Sequence, residues 1–388
     1  MKRKHSVILT LFVLFLFTSY SALLAQNKRE PISLSLTQDV AGNFRGGIKP
    51  GFAQMGLIQM DLTLDTEEQD WWSNGTWKVQ IQSTHGHRPT RQLVGDVQVF
   101  SNIEHGNYTY LYQLWYRHNM DKTSLLVGKH DMNAWFFTSK YAGRYINSSF
   151  GIMPVASLNV PVSIFPSTTL GVAGSYEITP AFTLHGGLYN GFPGDITRTN
   201  LGLDLNITPS KGLLYIGELT WNHSSLGMEG TFKMGGFYHS GSFPTLCNPE
   251  VTHQGGSGVY LMADQLLIQG SKVTGQLGTF FQAGYSPDPC SLNDFYVAYG
   301  LNYSGWGDSP SGNSIALALA HASTNHRLAE NRPEDYQNCE TAIELTYTHH
   351  LSDQLVIQPD IQYILNPGMK HRHNNCLVGL VRVNWIYN

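Results

Sequence analysis

The sequence predicts an all-β chain closed into an antiparallel transmembrane β-barrel, and three observations carry that expectation. Charge is scarce: 24 Lys and Arg with 28 Asp and Glu make 13% of the 388 residues, where a soluble domain carries about 25%. Apolar and polar residues alternate over segments of about ten residues, the period-two pattern of strands with one face in lipid. Beyond a short N-terminal leader, no apolar run approaches the ~18 residues that a membrane helix needs.

The leader sets the compartment. Lys2, Arg3 and Lys4 precede an apolar stretch from Val7 to Phe17, and Ser21, Ala22 and Ala25 supply small residues at the expected cut. Residues 1–25 read as a secretory signal peptide, leaving 26–388 as one barrel domain. Its removal leaves 21 basic against 28 acidic side chains, a balance that argues against a nucleic-acid partner. An exported barrel belongs in the bacterial outer membrane, with lipid around it.

The strands follow from alternation. At the C-terminus Val381, Val383, Trp385 and Tyr387 share one face, opposite Arg382 and Asn384. Ile343, Leu345 and Tyr347 oppose Ala342, Glu344 and Thr346, and Tyr215, Leu219 and Trp221 oppose Ile216, Glu218 and Thr220. Tyr110, Tyr112, Leu114 and Tyr116 form an apolar face opposite Gln113, Trp115 and Arg117. Pro359 interrupts a ladder from Leu355 to Leu365 and marks a bulge or a strand end. Seventeen strand starts are legible, one of them at Asn200. Single-chain bacterial barrels take an even number, so the pattern leaves sixteen or eighteen.

With the last strand ending in the periplasm, long connections such as Ser240–Gly256 and His326–Asn338 fall outside, and Ser352–Gln354 falls inside. All four cysteines then lie at the outer end. An even count in an oxidising compartment favours disulfides, and the expected pairs are Cys247–Cys290 and Cys339–Cys376.

Parity also selects a lumen. It turns Gln113, Trp115 and Arg117 inward on one strand and Lys78, Gln80 and Gln82 on another, together with Glu218, Lys233, Glu344 and Asp360. Planar hydrogen-bonding groups and an aromatic face suit an uncharged polyol, and lining donors, acceptors and pore width set selectivity. For any single residue, solvating a water-filled interior is the competing role. The insertion from Asp131 to Pro166, carrying Trp135 and Arg144, is too aromatic to lie free in water. It is expected to fold inward and narrow the pore, with His85–Glu104 contributing Arg88 and Arg91. An external cap is the alternative.

Other chemistry is thin. The paired histidines His85/His87, His349/His350 and His371/His373 match no zinc spacing, and neither metal nor cofactor is expected. Asn222-His223-Ser224 does not make an enzyme, because adjacent residues on a strand point to opposite faces. The sequence leaves the oligomeric state open, with a homotrimer among the candidates.

An ordered series of motifs runs through the mature chain. It includes Gly95-Asp96-Val97-Gln98, Ser101-Asn102-Ile103-Glu104 and Gly128-Lys129-His130-Asp131-Met132-Asn133. Asn147-Ser148-Ser149-Phe150-Gly151, Gln358-Pro359-Asp360-Ile361-Gln362-Tyr363 and Asn366-Pro367-Gly368 complete it. This succession resembles the carbohydrate-selective porin family (OprB-like). The resemblance implies sixteen strands and facilitated diffusion of sugars, which would make a carbohydrate the partner. Gln113 stands where that family pattern suggests an acidic residue, and Asn388 replaces a terminal Phe.

Overall fold

Sixteen strands close on themselves in the computed structural model, which describes residues 31–387 except 195–199, 204, 206, 226, 272 and 307–311. The expected signal peptide, residues 1–25, lies outside the described residues. The first half of the wall is β1 (Ile32–Gly47), β2 (Gly51–Asp65), β3 (Gly75–Gly86), β4 (Tyr108–Met120), β5 (Thr123–His130), β6 (Thr169–Thr179), β7 (Phe182–Asn190) and β8 (Leu213–Ser225). The second half is β9 (Met228–Pro244), β10 (Thr252–Ile268), β11 (Gln276–Tyr285), β12 (Asn293–Trp306), β13 (Asn313–Thr324), β14 (Cys339–His350), β15 (Leu355–Leu365) and β16 (Asn374–Tyr387). Each strand pairs antiparallel with the next, and β16 returns to β1.

Closure leaves no open sheet edge, so the backbone of the wall is hydrogen-bonded without help from solvent. The side-chain faces divide as period two demands. Leu184, Leu188, Tyr215, Leu317 and Leu345 are exposed, while Gln82, Glu218, Gln282, Asn302 and Gln362 are buried on the other face. A Lys or Arg at mid-depth on the exposed face would cost about 2–4 kcal/mol. Aromatics gather where the strands end. Trp71, Trp72, Trp221, Trp385 and Tyr387 lie toward the end bearing the chain termini, and Phe52, Tyr238, Tyr285 and Phe295 toward the other. Connections at the terminal end are short; those at the opposite end include 87–107, 131–168 and 191–212.

Several expectations need correction. No strand starts at Asn200: Leu201, Leu203, Leu205 and Ile207 alternate, but they lie in the β7–β8 connection, all exposed. Leu201 has φ +56°, and Gly202 (φ +65°) sits against β4 so closely that a Cβ would meet that of Tyr110 at 2.8 Å. Pro359 is neither bulge nor strand end. It faces outward within β15, beside a gap in the β14 pairing that leaves the register unchanged. The Ser240–Gly256 loop is shorter than expected, since β9 and β10 continue to Pro244 and from Thr252. In β4 a register irregularity between the Gln80 and Ile81 pairings places an extra residue at position 112. That residue reverses parity, so Tyr110 and Tyr112 are buried instead of facing lipid.

The expected disulfides are not formed; all four cysteines are free. Cys376 pairs with Ile364 on β15, and Cys339 begins β14 on the far side of β15. Two strand spacings put roughly 9–10 Å between their backbones, beyond the ~7 Å that a disulfide tolerates. The backbones near Cys247 and Cys290 adjoin, with Leu246 N donating to Pro289 O at 3.1 Å. Their thiols diverge, however, Cys247 toward Arg327 O and buried Cys290 toward Gly255 O.

Candidate substrate pathway

Segment 131–168 leaves β5 at a tight turn, where Asp131 caps a short helical turn by accepting from Asn133 N at 2.7 Å. Its aromatic content then has somewhere to go. Phe136, Phe137, Tyr145, Phe150 and Met153 are buried in one cluster with Tyr260, Phe280 and Tyr296 of the wall. Phe137 stacks on Tyr260 with ring centroids 4.0 Å apart. The buried face of β12 and β13 includes Ala298, Ala316, Ala318, Ala320 and Ala322, whose small side chains leave room for the segment.

Carboxylates on the same buried face hold its backbone. Glu218 Oε2 accepts from Phe137 N at 3.2 Å and from the Tyr260 hydroxyl at 2.9 Å. Lys233 Nζ lies 3.6 Å from Glu218 and donates to Thr138 O at 2.8 Å. Asp264 accepts from Lys140 N and Tyr141 N at 3.0 and 3.2 Å, and Glu344 from Ile146 N and Asn147 N at 2.6 and 3.0 Å. Bonds to an ionised partner contribute roughly 1.5–3 kcal/mol each, about twice a neutral bond.

Segment 87–107 is held the same way. Glu340 accepts from Val97 N and Gln98 N, both at 2.9 Å, and from Gly368 N at 2.5 Å. The two segments join through Asn102 N to Ile146 O and Ser148 N to Val99 O, each 3.0 Å. At the β1–β16 seam, Arg382 grips Asp39 with two bonds of 2.8 Å, and the Ser101 hydroxyl donates to the same carboxylate at 2.7 Å.

The β2–β4 wall stays clear of this packing. Against it lies a cavity of about 560 Å³, lined by Gln59, Gln80, Gln82 and Gln113 of the wall and by Gln98, Asn102 and Glu104 of the first segment. Asp131, Asn133 and Phe165 of the second segment complete it, with Tyr112. The amides are oriented by one another: Gln113 Nε2 donates to Gln80 at 2.7 Å, and the Trp115 indole donates to Gln113 Oε1 at 3.0 Å. The Tyr112 hydroxyl donates to Asp131 Oδ2 at 2.5 Å. Burial raises the Asp131 carboxyl to about 6 and the Glu104 carboxyl to about 7, against the bonds from Tyr112, Asn133 and Thr90 that favour the charged forms.

The residues singled out from sequence divide between these regions. Gln113 lines the cavity; Trp115, Arg117 and Lys78 sit on the same wall toward the terminal end. There Arg117 lies over the Trp115 ring at 6.0 Å, and Lys78 pairs with Asp61 at 2.9 Å. Glu218, Lys233 and Glu344 hold the second segment. Trp135 packs against its core, the backbone carbonyl of Arg144 accepts from Gln358 Nε2 at 3.0 Å, and buried Asp360 accepts from Gln362 at 3.0 Å. Arg88 lies over Tyr108 at 5.8 Å and Arg91 is exposed; neither lines the cavity. Sequence reasoning missed Gln59, Gln98, Tyr112, Asp131 and Phe165. Parity alone selects Gln59, which shares a face with Asp61, but only the bulge reveals Tyr112. Among the described residues no group of three or more His, Cys, Asp or Glu is placed to hold a metal.

A family model described as carbohydrate-selective porin, OprB family, matches residues 49–387. The chain belongs to this family. Its OprB-family relatives are distant: Porin B of Pseudomonas aeruginosa is 23% identical, covering 91% of this chain and 87% of its own. The protein named porin QuiX of Acinetobacter baylyi is also 23% identical, covering 90% and 88%. The barrel is similar to the high-pH structure of Pseudomonas putida OprB, with TM-score 0.82 at 20% identity over 92% of this chain and 94% of that one. The family and the fold agree on a sixteen-stranded outer-membrane carbohydrate porin.

Proposed function

We propose that this porin passes mono- and small oligosaccharides by facilitated diffusion along the β2–β4 wall, with segments 131–168 and 87–107 folded inward as its constriction. One observation carries the reading: the cavity beside that wall is lined by five glutamine amides with Tyr112 and Phe165. Amides donate and accept in one plane, matching sugar hydroxyls, and a ring face stacks on the C–H surface of a pyranose. Trp115 and Arg117 continue the path toward the termini, which lie in the periplasm, and residues 1–25 are removed on export.

Excising Asp131–Asn147 tests the constriction in planar bilayers. Single-channel conductance is expected to rise and sugar block to weaken; unchanged conductance would overturn the in-folded role. Liposome swelling against a panel of mono- and disaccharides then ranks the substrates.

A further inference from the structure

The cavity is polar without being balanced in charge. Among the described residues, its acidic lining residues are Glu104 and Asp131, and no Lys, Arg or His lines it. Of the nearby cations, Lys78 is paired with Asp61 and Arg117 lies over Trp115, while Arg88, over Tyr108, partly offsets the charge of Glu104 from outside the lining. The two carboxylates belong to different segments and border the same cavity.

A neutral sugar can donate its hydroxyls to either carboxylate. An anionic sugar brings a like charge into a half-enclosed space where water screens it less than in bulk. We propose that Glu104 and Asp131 form an anion-rejecting filter, so that this porin takes neutral sugars and discriminates against sugar acids and sugar phosphates. The inference rests on reading the cavity as the solute path.

Ionisation of the two carboxyls gives the filter a pH dependence. Glu104 faces Arg88 and the Asp96 carboxyl and accepts from Thr90 N; Asp131 faces the Tyr112 and Tyr189 hydroxyls and adjoins buried His130. His105, next to Glu104, has its ring 6.2 Å from that of Phe165. Raised carboxyls are ionised above about 7 and neutral below about 6, so rejection is present at pH 8 and lost at pH 5.

The test is swelling of proteoliposomes in glucose and in glucuronate, which stays ionised throughout that range. At pH 8 glucuronate is expected to enter about three- to tenfold more slowly than glucose, the scale of one partly screened like-charge repulsion. The ratio narrows at pH 5, and the double variant Glu104→Gln with Asp131→Asn narrows it at pH 8. Should the variant not insert, the pH series on the native protein decides. Equal entry of both sugars at pH 8 overturns the filter while the pore stands. A variant ratio that still follows pH as the native one does assigns the effect to a group other than these two carboxyls and also overturns it. Failure of glucose itself to enter overturns the pore reading instead.

Discussion

Strands β12 and β13 turn Ala298, Ala316, Ala318, Ala320 and Ala322 to the interior, whereas β3 and β4 turn Gln80, Gln82, Gln113 and Trp115. Both walls are antiparallel strand pairs, with one extra residue in β4. Against the alanines, segment 131–168 packs its aromatic side chains and a cavity is filled; against the glutamines, space remains and is polar. The contrast teaches that the inward residues choose where open space remains, small ones by admitting a filler and amides by keeping a polar interior. The carboxylates do not follow this division by type. Glu218 and Glu344 lie under the filler and bind its N–H groups, while Asp131 and Glu104 border the open side.

The contrast is most easily broken at an anchor. Glu344→Ala leaves the N–H groups of Ile146 and Asn147 without their acceptor, at about 1–3 kcal/mol for each buried donor. Faster proteolysis within 131–168 and larger, noisier channel conductance are expected; a quiet channel of native size would mean that the filler is held without this residue. Overfilling the small wall comes next. Ala318→Leu adds three carbons beneath the aromatic cluster and should destabilise by about 1–3 kcal/mol, visible as a lower melting temperature together with reduced conductance as the filler is pushed toward the glutamines. The smallest effect is expected on the open wall. Gln59→Leu removes one lining amide, about 1 kcal/mol of sugar binding, raising the half-blocking sugar concentration roughly fivefold with little change in melting. A melting shift as large as that of Ala318→Leu would erase the distinction between the walls.

Much of this was legible from residues alone, because lipid on one face and water on the other impose period two. That rule turns Glu344, Gln113 and Glu218 inward, where the structure buries them. It misplaced Tyr112, since a single extra residue in β4 reverses parity without any trace in composition. It also read Leu201, Leu203, Leu205 and Ile207 as a strand, although alternation is equally compatible with a connection lying on a neighbouring surface. The roles of Glu218 and Glu344 were out of reach, because a carboxylate facing a lumen looks the same whether its partner is a sugar or a backbone N–H forty or more residues away. The cysteine pairing fails for geometric reasons: Cys339 and Cys376 start from strands that are not adjacent, and Cys247 and Cys290 lie on adjoining backbones but turn their thiols apart.

The Asp39–Arg382 pair sits where the first strand meets the last, and Ser101 ties the inner segment to it. The latch therefore couples closure to the interior: Ser101 fastens the segment carrying Gln98 and Glu104 to a carboxylate that Arg382 holds only when the last strand pairs with the first. Opening that one seam would both expose a sheet edge and remove a tether from the inner segment.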